Sequence, residues 1–130
     1  MLQCRSSLML FSLAQFFACV IIAIDLYPSR YGIATNYLSE LGCVKDDAAL
    51  HALVFNLSLG LFAVGLCLFF ATLIKTTLRG PIELLVIGGF GLLSSVSILF
   101  IAALPWIEFP GLHTIAMCSW LAWLLPAILD

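Results

Sequence analysis

Hydrophobic positions dominate this chain, and charged residues or prolines cut them into four long runs: Leu8 to Ile24, Leu50 to Ile74, Ile82 to Leu104 and Leu112 to Leu129. A helix that crosses a bilayer needs about 20 mostly apolar residues, so each run is a candidate span. The first lies between Arg5 and Asp25 and is near the short limit. It is followed by Ala23-Ile24-Asp25-Leu26-Tyr27-Pro28, which lacks the small-x-small pattern of a signal-peptide cleavage site, so it reads as a retained helix. The second run follows Asp46-Asp47, whose carboxylates suit a helix N-terminus, and closes at Lys75. Gly80-Pro81-Ile82-Glu83 opens the third, with proline in the first turn and a glutamate that complements the helix dipole. The expected fold is an all-α integral membrane domain covering residues 1–130, a four-helix bundle with both termini on one side.

Composition hardens this reading. Of 130 residues 64% are hydrophobic and 9% charged, and the mean hydropathy is +1.21, whereas soluble domains carry about 25% charged residues. Lipid is the expected solvent for most of the chain, in a multi-pass topology and in the cell membrane. With a net charge of −2 and five Lys plus Arg spread thinly, no basic stripe can neutralise a run of phosphates, which excludes nucleic acid as a partner. Arg5, Lys75 and Arg79 fall on one side and Arg30 and Lys45 on the other, a bias that places both termini inside.

The longest connection, Tyr27 to Asp47, exceeds the roughly 2 to 8 residues that join helices in bundles. Within it Tyr37, Leu38 and Leu41 recur at helical spacing among Asn36, Ser39 and Glu40, with Gly42 at the stop. This predicts a short interfacial helix over the mouth of the bundle. Small residues cluster on the second and third runs, including Ser58, Gly60 and Gly65 on one and Gly88, Gly91, Ser94, Ser95 and Ser97 on the other. Such residues let helices approach closely in lipid and let hydroxyls bond across, and the same face could serve self-association or another membrane subunit.

Candidate chemistry is sparse. The five cysteines, Cys4, Cys19, Cys43, Cys67 and Cys118, include no C-x-x-C pair, which argues against thiol redox work. Asn56, inside the second run, must find a hydrogen-bond partner in hydrocarbon. The topology brings Glu40, Glu108 and His113 to the same end, so Asn36, Ser39, Glu40, Asn56, Glu108 and His113 form the candidate binding site. A carboxylate at such a mouth can have a raised pKa, and the set could relay a proton or hold a cation. Equally, Asn56 could bond helix to helix and His113 could cap locally. His51 sits one turn after Asp47, which an i,i+4 pair explains, and no ligand spacing such as H-E-x-x-H supports a metal site. No cofactor motif is present.

The run Asn36-Tyr37-Leu38-Ser39-Glu40-Leu41-Gly42, followed by Phe55-Asn56 and by Pro105, Glu108, Gly111 and His113, resembles the prokaryotic multi-pass family known as domain of unknown function nine-nine-eight. Members usually have about six spans of bilayer length, so the resemblance implies that this chain corresponds to the first four. The family offers no reaction to transfer.

Three function classes follow. A non-catalytic membrane component or accessory subunit that binds lipid or a partner helix needs only the features above. A membrane enzyme acting on lipid would use Glu40, Glu108 or His113 as acid or base, but the chain lacks a nucleophile elbow, a phosphate loop and an acidic metal motif. A small transporter or ion-binding bundle would usually show broken helices in matched halves.

Overall fold

The computed structural model describes residues 2–45, 49–104 and 110–129, with residues 2–6 and 123–129 described as helix backbone only. Four helices account for most of it: α1 (Leu2–Asp25), α2 (Leu50–Thr76), α3 (Pro81–Ala103) and α4 (Pro110–Leu129). No β-strand occurs among the described residues. Three stretches, Ser7–Asp25, Leu50–Thr76 and Pro81–Ala103, are long and apolar enough to cross a membrane.

Local chemistry explains where α3 begins. Pro81 occupies the first turn, where its missing N–H costs nothing, and the Glu83 carboxylate accepts from the backbone N–H groups of Arg79 (3.2 Å) and Gly80 (3.3 Å). Residues Leu84–Gly89 then wind as a π-helix before α-geometry resumes at Phe90. The Asp46-Asp47 pair expected to cap α2 lies outside the described residues.

Helices adjacent in sequence pack on one another, with α2 and α3 in the middle of the array. One apolar cluster joins α1 to α2 through Val20, Ala23 and Phe55, closed by Tyr27 and Leu41 from the long connection. A second joins α2 to α3 through Ala63, Leu66 and Ile98, with Trp120 of α4 packed against it. Between the middle helices the fit is tight. A β-carbon built on Gly91 would run into the Phe70 ring, so the backbone of α3 lies directly against that aromatic face.

The serines behave differently from the expectation that hydroxyls bond across helices. Ser94 and Ser95 both donate to the Gly91 carbonyl (2.8 Å each), Ser97 to that of Leu93 (3.0 Å) and Ser58 to that of Phe55 (2.7 Å). Each bond stays within its own helix, because a carbonyl three or four residues back is always within reach of a serine rotamer. The serines contribute smallness rather than cross-links. A polar link that does cross between helices is that of Gln15 of α1, whose Nε2 donates to the Ser58 carbonyl of α2 at 3.0 Å. Many large apolar side chains point away from the packed faces; Leu10, Phe11, Ile21 and Leu61 are all more than half exposed.

Candidate functional site

The connection between α1 and α2 is built by its own side chains. Asn36 closes a turn on Gly32, whose N–H donates to Asn36 Oδ1 (3.1 Å). The other end of the amide, Nδ2, donates to Glu40 Oε2 (2.9 Å), while Glu40 Oε1 accepts from the Tyr37 N–H (3.0 Å). A glutamate three residues after the helix-entry position thereby satisfies a free N–H, and the chain winds into a 3₁₀ helix over Leu38–Gly42. Its last residues, Leu41 and Gly42, are buried.

Two α2 side chains pin this segment from below. Asn56 Nδ2 donates to the Gly42 carbonyl (2.8 Å), and His51 Nε2 donates to that of Cys43 (2.9 Å). The approach at Gly42 is close: a β-carbon there would sit 2.6 Å from Asn56 Oδ1 and 3.1 Å from the Phe55 ring. His51 is fully buried, with its ring edge-on to Tyr27 at 5.0 Å between centroids. Lys45 Nζ lies 5.2 Å from the Tyr27 ring centroid, within cation–π range. Asp47, expected as the partner of His51, lies outside the described residues.

Electrostatics in the connection run opposite to the expectation of a raised carboxylate pKa. Glu40 is held below its ordinary value, first by the Tyr37 N–H and then by the Asn36 amide, with Lys45 and Tyr27 adding in the same direction. These donors stabilise the charged form, and burial is too slight to offset them. The Tyr31 phenol is pushed up by burial and by the nearby Glu40 charge.

At the far side, His113 in the first turns of α4 reaches back across the hairpin. Its Nδ1 lies 2.7 Å from the carbonyl of Leu104, the residue that follows the last turn of α3, where helix geometry leaves carbonyls without an intrahelical donor. The ring is buried, 5% exposed, and its Nε2 has no hydrogen-bond partner among the described residues.

A cavity of about 210 Å³ lies between these parts. Its polar edge is Ser39, Asn56 and His113; its walls are apolar and drawn from all four helices, Phe16 from α1, Phe55 and Phe62 from α2, Ile98 from α3 and Trp120 from α4 among them. Among the described residues no charged side chain lines it. A second, shallower cavity shares Ser39, His113 and Met117 and adds Tyr37 and Thr114, so the two adjoin at the polar edge.

Of the residues predicted from sequence, Ser39, Asn56 and His113 therefore meet at one cavity. Asn36 and Glu40 do not line it and instead hold the connecting segment in shape. Glu108 lies outside the described residues. The aromatic walls were missed, although they carry a signal: Phe55, Leu59 and Phe62 on α2, and His113, Met117 and Trp120 on α4, each follow i, i+4, i+7 spacing and share one helix face. Gln15, a mid-span amide, was also missed and is flagged by polarity alone. Among the described residues, no group of three His, Cys, Asp or Glu side chains is placed to hold a metal ion. Compared with family models, with curated proteins and with solved structures, the chain matches none.

Proposed function

We propose that this chain is a multi-pass membrane component that binds an apolar, lipid-like molecule and carries out no covalent step on it. In this reading α4 is a fourth span beside the three long apolar helices, the Leu38–Gly42 helix lies at the interface as a cover, and both termini face inside. The exposed Leu, Ile and Phe side chains then meet lipid, the solvent in which their exposure is favourable. The resemblance to the family of unknown function belongs with this proposal and adds a topology rather than a reaction.

The observation that carries the reading is the cavity between Asn56, His113 and the aromatic walls. Apolar walls with a few convergent polar groups are the usual form of a small-molecule site. At about 210 Å³ it is smaller than the roughly 300–1,000 Å³ of drug-sized pockets, so it suits one hydrocarbon chain better than a whole two-chain lipid. Among the described residues His113 Nε2 has no hydrogen-bond partner, so the Ser39 hydroxyl is not held on it as a nucleophile on a base would be, which favours binding over chemistry.

Native mass spectrometry of the chain released from its membrane tests this. The expected result is a retained small apolar molecule that is lost in Met117→Trp, where a large ring enters the cavity wall. An unaltered chain that keeps only the bulk lipids of its membrane, in the same proportions as Met117→Trp, overturns the proposal.

A further inference from the structure

The polar edge of the cavity specifies the head of its occupant as well as the tail. A carbonyl can only accept, so the 2.7 Å contact with Leu104 places the His113 proton on Nδ1. In that tautomer Nε2 is a bare acceptor. Among the described residues it is buried without a hydrogen-bond partner, on a ring that lines both cavities. Asn56 gives one of its two Nδ2 hydrogens to the Gly42 carbonyl, which leaves Oδ1 as an acceptor and one N–H as a donor. Ser39, the third polar lining residue, has a hydroxyl that can serve either way. Among the described polar lining atoms, the one buried without a partner is His113 Nε2, and in this tautomer it asks for a donor.

Charge narrows the class further. With no Lys or Arg among the described lining residues, a phosphate or carboxylate head would set its oxygens against the bare Nε2 with no compensating cation. A quaternary ammonium head has no N–H to give to Nε2, and the described lining residues include no carboxylate. Resting on the reading that the cavity binds a lipid-like molecule, we propose that its occupant is a single-chain lipid with a neutral hydroxyl head, whose O–H donates to His113 Nε2 while the hydrocarbon lies among Phe16, Phe55, Phe62 and Trp120. A site built to pair a hydroxyl discriminates against an analogue without one, because its own polar atom is then left unpaired.

Trp120 lies in the wall and reports occupancy directly. The full chain carrying Trp106→Phe and Trp123→Phe, which leaves Trp120 as the remaining one of three tryptophans, is placed in phosphatidylcholine nanodiscs. It is titrated with a long-chain primary alcohol brominated near the tail, and separately with the methyl ether of that alcohol. We expect the alcohol to quench Trp120 at a mole fraction roughly tenfold below that of the ether, equivalent to about 1.4 kcal/mol. His113→Asn keeps an N–H at the δ position for Leu104 but has no atom at Nε2, and it is expected to level the two probes.

Equal quenching by alcohol and ether in the unaltered ring overturns the hydroxyl assignment while leaving tail binding intact. A tenfold preference that survives His113→Asn overturns the role of Nε2. Quenching by neither probe beyond that of brominated phosphatidylcholine overturns both this inference and the binding reading it rests on. Should His113→Asn fail to fold, the alcohol-to-ether ratio with His113 present decides alone.

Discussion

The contact between Gly42 and Asn56 gives the sharpest quantitative test of the fold. Replacing Gly42 by Ala puts a β-carbon 2.6 Å from Asn56 Oδ1 and 3.1 Å from the Phe55 ring, so the amide must move and its 2.8 Å bond to the Gly42 carbonyl is disturbed. Overpacking of this kind costs about 1–3 kcal/mol. Asn56→Ala removes the donor and strands a buried carbonyl, for about 1–3 kcal/mol by general measure, although bonds between membrane helices average nearer 0.6 kcal/mol. Once the amide is gone, the new methyl meets only the Phe55 ring edge, which can give by a few tenths of an ångström, and Gly42→Ala should then cost under about 1 kcal/mol. The double variant is thus expected to be more stable than the sum of the singles by about 1–2 kcal/mol. Reversible unfolding in mixed micelles, followed by far-ultraviolet circular dichroism against the mole fraction of denaturing detergent, measures all four corners of the cycle. Additivity within about 0.5 kcal/mol would show that the amide does not face Gly42 and would refute the pinned segment.

Three other outcomes follow from the same geometry. Gly91→Val should destabilise the chain by about 1–3 kcal/mol in that unfolding assay, and Phe70→Ala should relieve most of the loss by opening the space the new side chain needs. Glu40 has a folded pKa below its unfolded value of about 4.3, so its contribution is present above that value and is lost as pH falls through the lower folded one. Carbon-detected NMR titration should place the Glu40 midpoint below 4.3, and Asn36→Ala should move it upward; an unmoved midpoint would contradict the assigned bond. Gln15→Leu gives up one bond to the Ser58 carbonyl and should cost about 0.6 kcal/mol, at most about 1.7, in the micelle assay.

What the sequence makes legible here is set by how many physical solutions each residue has. Glu83 beside Pro81 has essentially one, a helix start, and the structure places it there. Three of the four apolar runs likewise specify helices long and apolar enough to cross a bilayer. Direction within those helices is harder to read. An amphipathic helix announces its buried face, but α2 and α4 are apolar all round, so the Phe55 and His113 stripes have no polar back to be told from. Serine hydroxyls always have a carbonyl of their own helix in reach, so their sequence position cannot distinguish a cross-link from a local bond, and here the local bond wins. His113 is readable as a local cap or a site residue, and both readings hold a part of it: Nδ1 ties down the Leu104 carbonyl, while the ring lines the cavity with Nε2 unpartnered among the described residues. That division depends on a geometry that residue spacing does not encode. Glu40 could be placed near the mouth from topology, but Asn36 and Tyr37 take up its carboxylate, and only coordinates reveal that competition.

The claim at the centre of this account is that the space between Asn56, His113 and Trp120 is a binding site rather than a packing gap. A structure of the full chain in lipid nanodiscs, with density inspected in that space, tests it most directly. A binding site there should hold one elongated density that starts within hydrogen-bond distance of His113 Nε2 and runs between Phe55, Phe62 and Trp120. Side chains closed onto one another there, with His113 Nε2 paired to a protein group and no room for a hydrocarbon chain, would contradict it.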